Sequence, residues 1–88
     1  MTTRGVKILN RAGIHARPAS LIVQTAQKFE SSVFIKKEDA EINAKSIMNI
    51  LTLGATFGME LTLSAEGPDE EAAVSELAEL FDNKFKEE

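Results

Sequence analysis

The residues best suited to chemistry in this 88-residue chain lie in the segment 11–20. This segment contains His15, the only histidine of the sequence, with Arg17 and Pro18 close behind it. Proline is favoured in the first turn of a helix, so the segment predicts a helix that begins near Ala16. A nucleophilic imidazole, an arginine and the positive end of a helix dipole together favour a site for a transferable phosphoryl group.

Each group has a distinct role in such a site. If the helix begins near Ala16, His15 is its N-cap, and the backbone N–H groups of Ala16 and Arg17 have no partner inside the helix. These N–H groups can hold a phosphate, and the Arg17 guanidinium offers a fork of donors to its oxygens. The alternative is that His15 only caps the helix or lies in a loop. A hydrolase is disfavoured, because no carboxylate or second base is placed beside His15 and so short a chain leaves little room for a cleft.

Composition argues against several other functions. The sequence has no cysteine, which excludes a disulfide framework and a thiolate metal site and fits a reducing compartment. No apolar run approaches the roughly 18–20 residues that span a bilayer, so we expect a cytoplasmic protein without a membrane partner. The net charge of −4, with acidic residues concentrated after Gly67, disfavours nucleic acid. Those carboxylates form a solvated helix face, so we expect no metal and no cofactor.

The pattern of elements predicts one α+β domain over residues 1–88. β-Branched, aromatic or alternating segments predict four strands, at 6–9, 31–37, 42–43 and 59–66, with a loop at 10–14 and a turn at 38–41. Helical spacing predicts helices at about 16–29, 47–53 and 70–86. In the last helix, Asp69 is predicted to cap the first turn, and Lys84 and Lys86 to lie in the last. This order favours an antiparallel four-stranded sheet with helices on one face.

The short second helix carries two further features. Ser46 precedes it, and Gly54 ends it at a position suited to positive φ; a serine in this place is often no more than an N-cap. Ile50 and Leu53 can point into a core, which leaves apolar side chains on a face that two turns cannot also bury. The alternatives are a slightly apolar surface without a partner, a packing contact with the first helix, and a docking surface for a partner, of which docking is favoured. We expect the partner-binding residues to be Ser20, Gln24, Lys45, Ile47, Met48 and Leu51, with Arg17 and Lys45 as a basic rim.

Two motifs carry a resemblance to a known family. The segment Gly13-Ile-His-Ala-Arg-Pro-Ala19 resembles the active-site motif of the HPr phosphocarrier proteins of the bacterial phosphoenolpyruvate-dependent sugar phosphotransferase system. The segment Asn43-Ala-Lys-Ser-Ile-Met48, followed by Leu53-Gly54, resembles their regulatory segment in bacteria that possess an HPr kinase/phosphorylase. The resemblance extends over the whole chain. It implies the βαββαβα fold, an open-faced β-sandwich whose four-stranded antiparallel sheet is covered on one face by three helices.

The resemblance also implies a function. In this family the residue matching His15 accepts a phosphoryl group on Nδ1 from phosphorylated enzyme I and passes it to IIA domains of sugar permeases, while Arg17 steadies the phosphohistidine. Ser46 matches the serine that the kinase phosphorylates. The chain would then be a monomeric carrier rather than a turnover enzyme. The alternative is a purely regulatory protein that acts through phosphorylated Ser46, with His15 unused. Asn49 stands where many relatives carry glycine, and residues 55–58 are individual, which bears on partner preference.

Overall fold

The computed structural model describes residues 1–86, which form a four-stranded antiparallel sheet and three α-helices. The strands are β1 (Thr2–Lys7), β2 (Ser32–Lys37), β3 (Ala40–Asn43) and β4 (Glu60–Glu66), and the helices are α1 (Ala16–Ala26), α2 (Ile47–Thr52) and α3 (Glu70–Asp82). The strands lie in the order β1-β4-β2-β3, and each neighbouring pair is antiparallel. The predicted open-faced sandwich with βαββαβα order is therefore confirmed. The prediction of one domain over 1–88 includes residues 87–88, which lie outside the described residues.

The core lies between the sheet and the helices. Leu61 and Leu63 of β4 are buried, whereas Glu60 and Thr62, which alternate with them, are exposed. The helices cover this face with an apolar stripe that includes Ile22 of α1, which is fully buried. Each such side chain contributes about 1.5–3 kcal/mol when it is removed from water. The opposite face of the sheet has no helix among the described residues.

The edge strand β1 begins and ends earlier than its side chains indicate. The predicted strand covers 6–9, whereas the observed strand covers Thr2–Lys7 and pairs with β4 from Thr2↔Ala65 to Lys7↔Glu60. Backbone pairing along β4 overrides the polar character of the first residues. In the hairpin, the turn is likewise shorter than predicted, because β3 already begins at Ala40 and leaves only residues 38–39 between the strands.

Both long helices end before their apolar patterns do. α1 ends at Ala26, and residues 28 and 29 continue it only through i→i−3 hydrogen bonds of 3.2 Å, the tighter geometry common at helix ends. α3 ends at Asp82, so Lys84 and Lys86 lie beyond its last turn, contrary to the prediction. They belong to a 3₁₀ turn with positive φ that folds Phe85 back into the core. There the ring of Phe85 packs edge-on against Phe81, with centroids 4.8 Å apart.

Asp69 lies at the N-cap of α3, but its carboxylate makes no capping hydrogen bond to that helix. Instead it accepts hydrogen bonds from the backbone N–H groups of Glu30 (2.9 Å) and Ser31 (3.0 Å) and from the Ser31 hydroxyl. Gly67 packs against the same serine, because a Cβ added there would lie 2.7 Å from the Ser31 Cα. Asp69 is therefore the N-cap residue of α3 as predicted, but its carboxylate does not cap that helix. Its side chain joins the start of β2 to the start of α3.

Asp69→Asn is expected to lower thermal stability at neutral pH and to flatten its decline in acid. Hydrogen bonds from the Ser31 hydroxyl and from the Glu30 N–H hold the pKa of Asp69 below its ordinary value of 3.8. A carboxyl with a depressed folded pKa stabilises the fold above its unfolded pKa, and this stability is lost as pH falls through the folded value. Melting temperatures of the wild type and Asp69→Asn at pH 7 and below pH 3.8 measure the loss of stability at neutral pH and the smaller decline in acid. Asp39→Asn, in the exposed hairpin turn, is the matched control; equal pH profiles for the two variants would contradict the account.

Candidate functional site

The loop between β1 and α1 is fixed by short contacts. The buried Asn10 donates from Nδ2 to the Gly13 carbonyl (2.7 Å), and the Gly13 N–H donates to the Asn10 carbonyl (3.1 Å). Gly13 has φ +72°, and a Cβ there would lie 2.9 Å from the Ala55 carbonyl oxygen. The next residue, Ile14, donates its N–H to that same oxygen at 3.1 Å. Glycine is thus required here both by the backbone conformation and by the close approach of a second loop.

His15 is the N-cap of α1, as its position in the sequence predicts. Its backbone is extended (φ −110°, ψ −164°), and its carbonyl accepts the N–H of Ala19 at 2.9 Å. The imidazole is exposed and makes no capping hydrogen bond, so His15 does not cap the helix through its side chain. The N–H groups of Ala16 and Arg17 precede this first helical hydrogen bond and therefore remain available for an anion. Pro18, which has no N–H, is buried in the first turn.

Arg17 is exposed in the first turn of α1 and forms no ion pair with any residue in the range 1–86. Its guanidinium fork is therefore not committed to a carboxylate of the described chain. All 14 acidic residues of the sequence lie outside the segments 11–27 and 42–59, which contain Arg11, Arg17 and Lys45. A chain with a net charge of −4 thus has two segments, the one that contains His15 and the one that contains α2, with basic residues and no carboxylate, and such segments favour an anion or an acidic protein surface.

Ser46 is the N-cap of α2 and is half-buried. Its hydroxyl accepts the Asn49 N–H at 3.4 Å, a long hydrogen bond that provides only part of the capping energy of a close one. Gly54 follows the helix with φ +65°, which agrees with the positive φ expected there. The Lys37 ammonium also donates to the Leu53 carbonyl at 2.8 Å, at the C-terminal end of α2. Both ends of this short helix are therefore held by side chains.

The apolar residues of α2 divide between core and solvent. Ile50 and Leu53 are buried, whereas Met48 is 66% exposed and Ile47 and Leu51 are 39% and 38% exposed. We call Ile47, Met48 and Leu51 the apolar α2 face. α1 is a neighbour of α2 but leaves Met48 largely accessible, so packing between the two helices does not account for that side chain. Neighbouring exposed apolar groups of this kind are typical of protein interaction surfaces.

The remaining predicted contact residues occupy different positions. Gln24 is exposed and donates from Nε2 to the Ser20 hydroxyl at 3.3 Å, one turn earlier on α1. Lys45 is half-buried, and its ammonium donates to the Phe29 carbonyl at 2.8 Å, just beyond the end of α1. Lys45 thus has a structural contact that sequence reasoning did not anticipate. To serve in a basic rim, it must keep this contact or exchange it for a partner's carboxylate.

Sequence reasoning singled out residues 55–58 as a segment that bears on partner preference, but it did not name Phe57, which is 59% exposed in this loop between α2 and β4. The signal that could have found it is an aromatic residue between Gly54 and Gly58, outside any apolar periodicity.

Within residues 1–86, no group of three or more histidines, cysteines, aspartates or glutamates is placed to hold a metal ion. No helix in the described part of the chain is long and apolar enough to cross a membrane.

Comparisons with known proteins agree with this geometry. The model of the family described as "PTS HPr component phosphorylation site" matches residues 2–83. The chain belongs to the HPr family. It is 51% identical to phosphocarrier protein HPr of Treponema pallidum over 88 residues, which cover all of both chains. An HPr crystal structure from Thermoanaerobacter tengcongensis superposes with a TM-score of 0.96 at 49% identity, covering 100% of this chain and 99% of that one.

The chain is also similar to an HPr-like protein that carries a different name. The HPr-like protein Crh of Bacillus subtilis is 44% identical over 78 residues, which cover 89% of this chain and 92% of Crh. The HPr family is one of phosphocarriers of the phosphotransferase system rather than of catalytic enzymes. A proposal for the function must therefore explain the exposed His15 and the apolar α2 face.

Proposed function

We propose that the chain is a cytoplasmic, monomeric phosphocarrier that receives a phosphoryl group on His15 from phosphorylated enzyme I. It then passes this group to IIA domains of sugar permeases. The observation that carries the proposal is the exposed imidazole of His15 at the N-terminus of α1, on a loop held by Gly13 and Ile14. The family of phosphocarriers to which the chain belongs supports the same assignment.

The chemistry follows from the groups at this helix end. The neutral imidazole attacks phosphorus with the lone pair of Nδ1, and the bond between phosphorus and the donor breaks as the new P–N bond forms. Transfer onward reverses these roles, with His15 as the leaving group. Phosphoryl transfer depends mainly on position and charge stabilisation, which the N–H groups of Ala16 and Arg17 and the Arg17 guanidinium supply. Because the site is exposed, the docked partner must exclude water from it.

Docking is assigned to the surroundings of His15. The apolar α2 face supplies area that excludes water, and the basic segments around it attract an acidic partner. Phosphorylation of Ser46 by an HPr kinase/phosphorylase then acts as a regulatory switch, because it places negative charge directly before Ile47 and Met48. The purely regulatory alternative, in which the His15 route is unused, is supported by the 44% identity to Crh, which is described as the catabolite repression HPr of Bacillus subtilis.

The carrier function is tested by loading the phosphoryl group from a donor and then transferring it to an acceptor. Incubation with enzyme I and phosphoenolpyruvate should load one phosphoryl group per chain, and addition of a IIA domain should remove it. A carrier must show gain followed by loss without release of inorganic phosphate as the main product. A chain that is loaded only at Ser46 by the kinase, and never through enzyme I, would favour the regulatory alternative.

Arg17→Ala is expected to slow transfer to a IIA domain by about 10–100-fold, because it removes a forked cation from the developing phosphoryl charge. Arg17→Lys should restore only part of the rate, since an ammonium cannot bind two oxygens in the same fork. Arg11→Ala is the matched control, as it removes the same charge from the neighbouring loop. Rapid-quench measurement of transfer checks this prediction. Equal rates for Arg17→Ala and the wild type would remove Arg17 from the mechanism.

A further inference from the structure

Phe57 differs from the other phenylalanines of the chain in its exposure. Phe81 and Phe85 are fully buried, and Phe29 and Phe34 are partly buried, whereas 59% of Phe57 is accessible to solvent. The ring therefore adds little to the core, and its exposed area remains unfavourably hydrated until another surface covers it. Aromatic side chains are enriched among the residues that contribute most to protein binding.

The loop that carries Phe57 is anchored to the loop that carries His15. Gly58 donates its N–H to the Ile8 carbonyl at 2.9 Å, and the Ala55 carbonyl accepts the Ile14 N–H at 3.1 Å. The Thr56 N–H also points to the Met59 sulfur at 3.3 Å, which closes the loop on itself. These contacts hold the backbone on both sides of Phe57. A ring on a fixed backbone loses less conformational entropy on binding than one on a flexible loop.

The distance from this loop to His15 is short on the scale of a protein interface. A Cβ on Gly13 would lie 3.6 Å from the Phe57 backbone nitrogen, and Gly13 is two residues before His15. Since a residue spans at most about 3.6 Å of chain, the Phe57 nitrogen lies within about 12 Å of the His15 Cα. A standard interface covers about 800 Å² on each partner, which corresponds to a disc about 16 Å in radius. A footprint of this size centred on His15 is therefore wide enough to extend to the loop that carries Phe57.

We propose that Phe57 is a specificity-determining anchor for the phosphoryl donor, which covers the ring with an apolar pocket when it docks on His15. The inference rests on the proposed function and adds to it a contact outside the apolar α2 face. The donor's surface is expected to be acidic around that pocket, because the segments 11–27 and 42–59 contain basic residues and no carboxylate. Donors without such a pocket would be discriminated against at the docking step.

The experiment measures transfer from phosphorylated enzyme I to Phe57→Ala, Phe57→Gln and Phe57→Leu. The first two variants should raise KM about tenfold while kcat stays within about twofold of the wild type, because the ring lies outside the reacting groups. Phe57→Leu keeps an apolar side chain and should recover most of the loss. The KM effect should persist at high salt, where the effect of Arg11→Ala shrinks, because apolar contacts are not screened. Thr62→Ala, at an exposed position on β4, is the control and should leave KM unchanged.

Binding to enzyme I in a His15→Ala background separates this inference from the proposed function. If transfer to His15 failed altogether, the proposed function would fall, but about tenfold weaker binding of Phe57→Ala in that background would still support the anchor. The inference is overturned if Phe57→Ala binds and reacts as the wild type does while Met48→Asp is impaired. It is also overturned if Phe57→Leu is as impaired as Phe57→Ala with an unchanged melting temperature, because the contact would then not be a general apolar one.

Discussion

His15→Ala is expected to reduce phosphoryl acceptance from enzyme I to background, a loss of at least about 10³-fold, while the protein remains folded. His15 is the only histidine in the chain, so no second imidazole can take its place. We expect the fold to be retained, because the imidazole is exposed to solvent and does not cap α1. Substitution at such an exposed position changes the free energy of unfolding by no more than about 0.5 kcal/mol.

The control for this variant is its binding to enzyme I. The apolar α2 face and the basic residues are unchanged in His15→Ala, so the dissociation constant should stay close to that of the wild type. Circular dichroism and the melting temperature check the fold in the same preparation. A folded His15→Ala protein that still gained phosphate from enzyme I at the wild-type rate would remove His15 from the proposal.

Phosphorylation of Ser46 is expected to slow the phosphorylation of His15 by about 100-fold at low salt. The phosphate adds about −1.5 to −2 charge next to Ile47 and Met48, where an acidic partner is to dock. Like charges at an interface are costly, and the desolvation of the new phosphate adds to that cost. The fold should be retained, because the new charge lies at the start of α2, where the N–H groups favour it.

The salt dependence separates this electrostatic effect from a structural one. The inhibition should shrink as salt rises, since screening weakens repulsion between the surfaces. Ser46→Asp, with one charge, should show a smaller loss than phosphoserine. Ser46→Ala removes the long hydrogen bond to Asn49 without adding charge, so it is the control and should transfer normally. If phosphoserine and Ser46→Asp both react at the wild-type rate at low salt, Ser46 is only a helix cap.

The sequence was sufficient to predict those elements whose side-chain pattern agrees with their tertiary contacts. β4 alternates apolar and polar residues, and it was predicted within one residue. α2 was predicted at its first residue because a capping serine and an apolar pattern coincide there. The start of β1 was missed because pairing with β4, rather than the polar side chains of residues 2–4, makes that segment a strand. The end of α3 was missed because Phe85 fits the helical apolar pattern yet reaches the core through a turn.

The candidate site likewise has features that local sequence predicts and features that it does not. The helix start at Ala16 and the position of His15 follow from local signals, chiefly the proline in the first turn. The contacts of Ile14 with Ala55, of Lys45 with Phe29 and of Asp69 with Ser31 join residues far apart in sequence. No local pattern encodes these pairs, because they arise only when the sheet and helices are assembled. The exposure of Phe57 is also a property of the assembled loops.

The most direct test of the central claim is to locate the phosphate after incubation with enzyme I and phosphoenolpyruvate. The proposed mechanism predicts one phosphoryl group per chain, labile in acid and stable in base, on Nδ1 of His15. Phosphorus NMR and fragmentation mass spectrometry of the intact protein identify both the residue and the nitrogen. An acid-stable phosphate on a hydroxyl group, or a phosphate that appears equally on His15→Ala, would contradict the account.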